Sequence, residues 1–517
     1  MRLSVSLALL ICCAGARTAW ADSDGGVPPG AAAPAAPEVT PTEPQATPPA
    51  GDSGGAGLFE QSNAAAAAGP SASAGPAPSA AGPFTLTGYM RGDMFAGKVS
   101  GQDAAELKAG YGELDLTLRT AKETYGDGFA EARIRYGLQA DGVQATVVDL
   151  REAYVNAYLG PLDLRIGQQI IVWGRADALN PTNNLTPLDF RIHSPIEDDI
   201  RVGNAGARAF LRFAPFRLEG VWMPLYLPTE LPVVQLPQYV SYGAPLFPSF
   251  NLKDGTEAVR LHLEVPAIEM SVSYLHGYAP LPGLTLTGLT LTATTDAAGN
   301  FTPGATPPSI LVSRTAYEQQ VLGFDFSTSL GEVATLRGEA AYRRPYNWAV
   351  PVDRHIAYPD LQYTIGADHT FGSLSVIVQY MGRYVFDWQK QSGPAGPLDT
   401  AMLPTEPMSN SRAVSDDINS VLAQTNQILF SQTAQIQHLA TLRFEWLTLH
   451  ETLSISSLCL YNFTTREWLV TPRIGYRLSD AMTIYAGAQV FHGPADTLFG
   501  IIDAELSAGY AELRYTF

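Results

Sequence analysis

Charge is scarce in this sequence, and what there is leans acidic. Asp, Glu, Lys and Arg make up 16% of the 517 residues, 50 acids stand against 32 Lys and Arg, and the formal net charge is −18. No run of Lys or Arg occurs, which excludes a basic face for nucleic acid or anionic lipid. Long apolar runs are missing too: past the leader nothing reaches the ~18 consecutive apolar residues of a membrane helix, so helices cannot supply a membrane span. Of three cysteines, Cys12 and Cys13 fall in the leader; Cys459 alone cannot form an internal disulfide and reads as a small apolar strand residue. The eight histidines are scattered singly without metal-ligand spacing, and neither a nucleophile elbow nor a glycine-rich phosphate loop occurs. No metal, cofactor or catalytic centre is expected, and the chain does not read as an enzyme.

What is present begins with an address. Arg2, the short apolar stretch from Leu3 to Ala14 and the small-x-small site Ala19-Trp20-Ala21 make residues 1–21 a secretory signal, cleaved after Ala21. Residues 22–82 are Pro, Ala, Gly and Ser with little else. Such a segment buries too little apolar surface to offset its ordering entropy, so a disordered Pro/Ala/Gly-rich periplasmic linker is expected. It serves as a plain spacer or as a contact for peptidoglycan or protein.

From 83 to 517 the chain alternates apolar and polar residues with period two. Val470, Pro472, Ile474, Tyr476 and Leu478 alternate with Thr471, Arg473, Gly475 and Arg477. About eighteen such strands can be counted, with sixteen or twenty also open, among them 162–172 and 502–517. Connections after even-numbered strands are short (Gly160-Pro161, Ala214-Pro215, Pro266-Ala267), whereas 173–205, 224–256, 279–318 and 387–435 are long. That asymmetry predicts an all-β fold, a transmembrane antiparallel up-and-down β-barrel over 83–517. A soluble sandwich would carry the same stripe, but one closed sheet of this size must enclose its polar face, and Trp222, Trp446, Trp468 and Tyr515 then collect at the interfaces. Within the long connections, Ile418, Val421, Leu422, Thr425 and Leu429 recur at helical spacing in 412–430. The apolar stretches 224–250 and 280–295 form either a greasy funnel or packed extensions of the strands.

The last strand stops on an aromatic, with Gly509, Ala511, Leu513, Tyr515 and Phe517 on one face. This ending resembles the C-terminal assembly signal of Gram-negative outer-membrane proteins, and with the leader it makes 84–517 similar to the porin-like barrels. The stretch WGRADALNPTNNLTPLD from Trp173 to Asp189 is similar to a motif of large porin-like barrels. Strand count and interior arginines resemble the alginate-export type of porin. The resemblance implies an outer-membrane location, contact with membrane lipid and lipopolysaccharide, and recognition of Tyr515 and Phe517 by the barrel assembly machinery. It also implies small polar solutes as cargo and a third extracellular loop that folds inward.

With the apolar stripe facing lipid, Arg133, Arg135, Arg165, Arg208, Arg212, Arg217, Arg473 and Arg477 face the lumen with Glu219. Guanidinium binds carboxylates in a fixed fork, so these arginines suit a structural ladder or a track for anions. The loop 173–205 is expected to narrow the channel or to lie over its mouth as a lid. In it Arg175 and Arg191 can pair with lumen carboxylates, Asp177 and Asp189 can form local turns, and Glu197, Asp198 and Asp199 can meet Arg208, Arg212 and Arg217. The expected function is a porin-like channel for small polar or ionic solutes. The alternatives are a channel for hydrophobic or specific organic substrates, an outer-membrane enzyme, or an adhesive barrel.

Overall fold

The computed structural model describes residues 83–98, 104–140, 142–231, 240–250, 252, 255–290, 293–295, 301–303, 309–331, 333–348, 355–391 and 409–517. The leader and linker expected over 1–82 lie outside the described residues.

Strands in chain order are β1 (Phe84–Lys98), β2 (Ala105–Thr120), β3 (Gly126–Leu138), β4 (Gln144–Leu159), β5 (Leu162–Gln169), β6 (Asn204–Phe213), β7 (Phe216–Met223), β8 (Val240–Tyr242), β9 (Thr256–Val265), β10 (Ile268–Tyr278), β11 (Gly283–Thr290) and β12 (Ala293–Thr295). They continue with β13 (Phe301–Pro303), β14 (Ser309–Thr315), β15 (Glu318–Leu330), β16 (Ala334–Pro345), β17 (Asp360–Phe371), β18 (Leu374–Val385), β19 (Ile436–Thr448), β20 (Leu453–Asn462), β21 (Glu467–Val470), β22 (Arg473–Arg477), β23 (Met482–His492) and β24 (Ala508–Thr516). Three helices intervene: α1 (Glu197–Ile200), α2 (Ser409–Leu429) and α3 (Leu498–Leu506).

Leaving aside β8 and β11–β14, neighbours in sequence pair antiparallel, and β24 returns to β1 with Tyr515 opposite Met90 and Ala511 opposite Met94. β21 and β22 are halves of one stave, broken at Thr471-Pro472 where proline has no N–H for the ladder. The wall is therefore a closed antiparallel barrel of eighteen staves. Phe517 exchanges backbone hydrogen bonds with Gly88 across the seam, at 2.9 and 3.0 Å.

Closure gives each strand face its own surroundings. Outward, Leu86, Met90, Met94, Val155, Leu322 and Ile365 are exposed, forming an apolar belt that water would not tolerate. Inward, the ladder register sets opposite charges side by side: Arg135 on Glu113 at 2.5 Å, Arg133 on Asp115 at 2.9 Å and Arg343 on Asp360 at 2.6 Å. Cross-strand pairs of this kind fix register as well as charge balance.

The structure departs from the sequence reading at two strand ends. β5 stops at Gln169 instead of running to 172, because Ile170, Ile171 and Val172 are all buried, which no two-faced wall permits. Just before the break, Gly167 has φ +138°, and a Cβ there would collide with the Ala153 carbonyl and Tyr154. The last strand begins at Ala508, not 502. Its expected first half is α3, capped by the Thr497 side chain and packed through Ile502 and Leu506 on Phe491.

At the long-loop end, β8, β11 and β14 form a small sheet covered by α2. Ile418, Val421, Leu422 and Leu429 of the helix pack on Val240, Leu284, Ile310 and Val312. Asn426 holds both backbone groups of Leu284, at 2.9 and 3.0 Å. Val240 and Leu284 of the apolar loop stretches are thus closed in a core, whereas Leu246 and Phe250 stay exposed. Each Ala substitution at Ile418 or Leu422 should cost about 2–5 kcal/mol. The double variant is expected to make α2 protease-sensitive while the barrel keeps its resistance to SDS at room temperature; an undiminished lifetime of α2 under protease contradicts this packing.

Candidate functional site

The connection between β5 and β6 does not stand above the barrel but crosses its interior. Its first arm starts with Ile170–Val172. Ile171, Trp173 and Leu185 pack on Val221 of β7, Ala258 of β9, Leu275 of β10, Val321 of β15 and Ala341 of β16. These wall residues point inward, where a water-filled lumen would want polar groups, and the arm removes them from water. The Trp173 indole N–H donates to Glu219 Oε1 at 2.9 Å, and Arg208 Nε reaches the same oxygen at 2.8 Å.

Gly174 then reverses the chain at φ +101°, where a Cβ would meet the Asn180 and Thr182 side chains. Beyond it the arm is held by the far wall. The Glu339 carboxylate accepts the N–H groups of Arg175 and Ala176 and the Thr182 hydroxyl. Arg175 bridges Asp325 at 2.8 Å and Glu269 at 2.7 Å, Asp177 pairs with Arg443 of β19 at 2.6 Å, and Gln379 of β18 accepts the N–H groups of Asp177 and Ala178.

The second arm, 187–203, is fastened to the opposite wall, chiefly by charge. Asp199 lies between Arg91 of β1 at 2.7 Å and Arg133 of β3 at 2.8 Å, and accepts Ser194 Oγ at 2.6 Å. Arg151 of β4 donates to the Asp198 carbonyl at 2.8 Å and its carboxylate at 3.1 Å. Tyr111 Oη donates to the His193 carbonyl at 2.9 Å. The described bonds of the segment thus reach β1–β4, β7, β10 and β15–β19.

Burial works to raise the Asp199 carboxyl, but the guanidiniums of Arg91 and Arg133 more than offset it and hold it well below the usual carboxylate range. Burial pushes His193 down to about 4, so its imidazole is neutral at physiological pH. Burial raises Asp177 despite the opposing charge of Arg443.

Several expected pairings are corrected. Among the described residues Arg191 forks onto Asp189 of its own segment, at 2.7 and 2.8 Å, where a wall carboxylate was expected. Glu197 and Asp198 pair with Arg201, and Asp199 meets Arg91 and Arg133 instead of Arg208, Arg212 or Arg217. Those three are taken by Glu219 at 2.8 Å, Asp163 at 3.2 Å and Glu264 at 2.7 Å. The cause is geometric: the first arm lies over Arg208 and Glu219, and the acidic turn lands on the opposite wall. Arg208 and Glu219 have no exposed side-chain surface, so they cannot line open water. Arg165 lies over the Tyr154 ring at 3.7 Å. Arg135 is held by Glu113, and Arg473 reaches Glu512 at 3.4 Å. Arg477 has no ion pair among the described residues. Arg91, Arg151 and Gln379 escaped the sequence reading. The signal that could have found the crossing was the apolar character of Val221, Leu275, Val321 and Ala341 at inward positions.

A buried charge stripped of its partner costs about 3–5 kcal/mol. Because the Asp199 carboxyl is lowered in the folded state, its contribution is complete above the ordinary carboxylate range and is lost only as pH falls through the lowered value. The buried Ile200→Cys thiol should therefore stay unreactive from pH 8 to pH 5, whereas adding Asp199→Asn should expose it at neutral pH. Equal labelling rates in both would show that Asp199 does not fasten the arm.

No curated protein matches the chain by sequence. A family model described as a protein of unknown function, DUF1302, matches residues 63–214. OccAB3 of Acinetobacter baumannii is similar in structure, 10% identical with a TM-score of 0.46, over 84% of this chain and 99% of that one. OccK9 (OpdG) of Pseudomonas aeruginosa is 10% identical with a TM-score of 0.47, over 84% and 97%. A BenF-like porin from Pseudomonas fluorescens Pf-5 is 9% identical with a TM-score of 0.45, over 84% and 98%.

Proposed function

We propose that the chain is an outer-membrane channel for small polar or ionic solutes, with residues 22–82 in the periplasm and the crossing segment as its constriction. The observation that carries this reading is the pairing of an apolar outer belt with an interior of charged and polar side chains. Tyr515 and Phe517, at the closing seam, are the proposed signal to the barrel assembly machinery; lipid and lipopolysaccharide surround the belt.

The passage we infer runs beside the staves β20–β24. Their inward positions carry Ser456 opposite Arg473, Gly475 opposite Tyr485, and Arg514 opposite Thr483. Arg473 and Arg514, stacked at 3.8 and 5.8 Å on Tyr485, keep partly exposed guanidiniums there. Together with Arg443 they favour anions over cations of similar size. A channel for hydrophobic substrates is less well supported, since Val240, Leu284, Ile310 and Val312 of the apolar loops are buried under α2 in the cap.

Planar-bilayer recording tests both parts. Deleting 178–200 should raise single-channel conductance severalfold, and Arg473→Glu with Arg514→Glu should move the reversal potential toward cation selectivity. Arg208→Glu is expected instead to lower the yield of folded barrel, because it sets two carboxylates together in a buried site. Unchanged conductance and reversal potential in the first two variants contradict the proposal.

A further inference from the structure

One joint in the wall differs from all the others. Every other pair of neighbouring staves is linked by a turn or a loop, whereas β24 and β1 meet with no connection between them. Eight register pairs, from Tyr89 opposite Thr516 to Ala96 opposite Gly509, hold that seam along its length. At its short-turn end lie the backbone hydrogen bonds between Phe517 and Gly88. What fastens the long-loop end is α3.

The helix is short, yet its two ends are held by wall side chains from opposite sides of the seam. At its N-terminus, Glu467 Oε1 of β21 accepts the Phe499 N–H at 2.7 Å. At its C-terminus, Lys108 Nζ of β2 donates to the carbonyls of Ala504, Glu505 and Ser507 at 2.6, 3.1 and 2.8 Å. An ammonium has three N–H donors, and all three are spent there. The acid meets the positive end of the helix dipole and the base meets the negative end. Between these anchors the helix passes the inner face of β23 and β1, with Ile502 and Leu506 on Phe491. On β1, Gly97 leaves the room: a Cβ there would collide with the Ser507 carbonyl and crowd the Lys108 side chain.

The lengths agree. From β21 to β2 is four strand spacings, about 19 Å. Phe499 to Ser507 covers about 12 Å of helix, and the Glu467 and Lys108 side chains make up the difference. Beside the helix, Phe95, Ala109, Tyr111, Ala508 and Tyr510 form one packed cluster drawn from β1, β2 and β24. We propose that α3 is an internal brace across the closing seam, with Lys108 as its clasp, and that it keeps shut the one joint the chain does not tie. Lys108 meets its three carbonyls only when β24 has come to β1, so parting the seam strips its ammonium of all three acceptors. The inference does not depend on what passes through the barrel.

The temperature at which the full-length protein loses its SDS-resistant band reports closure. In a Cys459→Ser background, Lys108→Met should lower that temperature by about 10 °C or more. Adding Met94→Cys with Ala511→Cys, register partners across the seam, and oxidising them to a disulfide should restore it. A disulfide from Val155→Cys with Ile166→Cys, on β4 and β5 where a turn already joins the staves, should not. Where Lys108→Met alone yields no folded barrel, the seam disulfide is formed first and then reduced. Reduction should then lower the temperature far more in Lys108→Met than with Lys108 present. An unchanged temperature in Lys108→Met, rescue by both disulfides alike or by neither, or an equal loss on reduction overturns the proposal.

Discussion

Everything in this structure turns on what covers the apolar residues inside the closed wall. Val221, Leu275, Val321 and Ala341 point into the barrel, where a plain water-filled lumen would expose them. Ile171, Trp173 and Leu185 supply the cover, and to do so the chain must leave β5 early and dive inward. The early end of β5, the reversal at Gly174 and the backbone hydrogen bonds to Glu339 follow from that one demand. A loop that enters an interior must also satisfy its own polar backbone, and the Glu339 carboxylate of β16 and the Gln379 amide of β18 are placed where those N–H groups arrive.

The two arms are fastened by different physics. Packing, with hydrogen bonds and ion pairs around it, holds the first, whereas the second hangs on Arg91, Arg133 and Arg151 gripping Asp198 and Asp199. Buried ion pairs give little net stability but much specificity of placement, since each partner alone is expensive. The cap of α2, β8, β11 and β14 adds a third body, tied to the segment where Glu230 exchanges backbone hydrogen bonds with Leu188 and Phe190.

The sequence made much of the wall legible, because period-two alternation and the parity of short and long connections are direct consequences of a closed two-faced sheet. The helical spacing of Ile418, Val421, Leu422 and Leu429 likewise announced α2. Strand ends were harder, since α3 is apolar enough to pass for the start of β24, and its helical choice depends on packing against Phe491. Inward folding of 173–205 came from resemblance, and its partners could not be read at all. Which arginine meets Asp199 depends on where an irregular chain lands across the barrel, a long-range matter that local pattern does not encode. Arg208, Arg212 and Arg217 were close in sequence, yet local strand partners had already claimed them.

The most direct test of this account is the reactivity of single cysteines in a Cys459→Ser background, probed with a charged, water-soluble thiol reagent during bilayer recording. The account predicts that Ser454→Cys and Ser456→Cys, on the inward face of β20 beside the proposed passage, react and reduce the current. Val221→Cys and Ala341→Cys, beneath the crossing segment, should remain inert. Rapid modification at Val221 and Ala341, with none at Ser454 and Ser456, would place the passage on the side that the segment is said to fill and contradict the central claim.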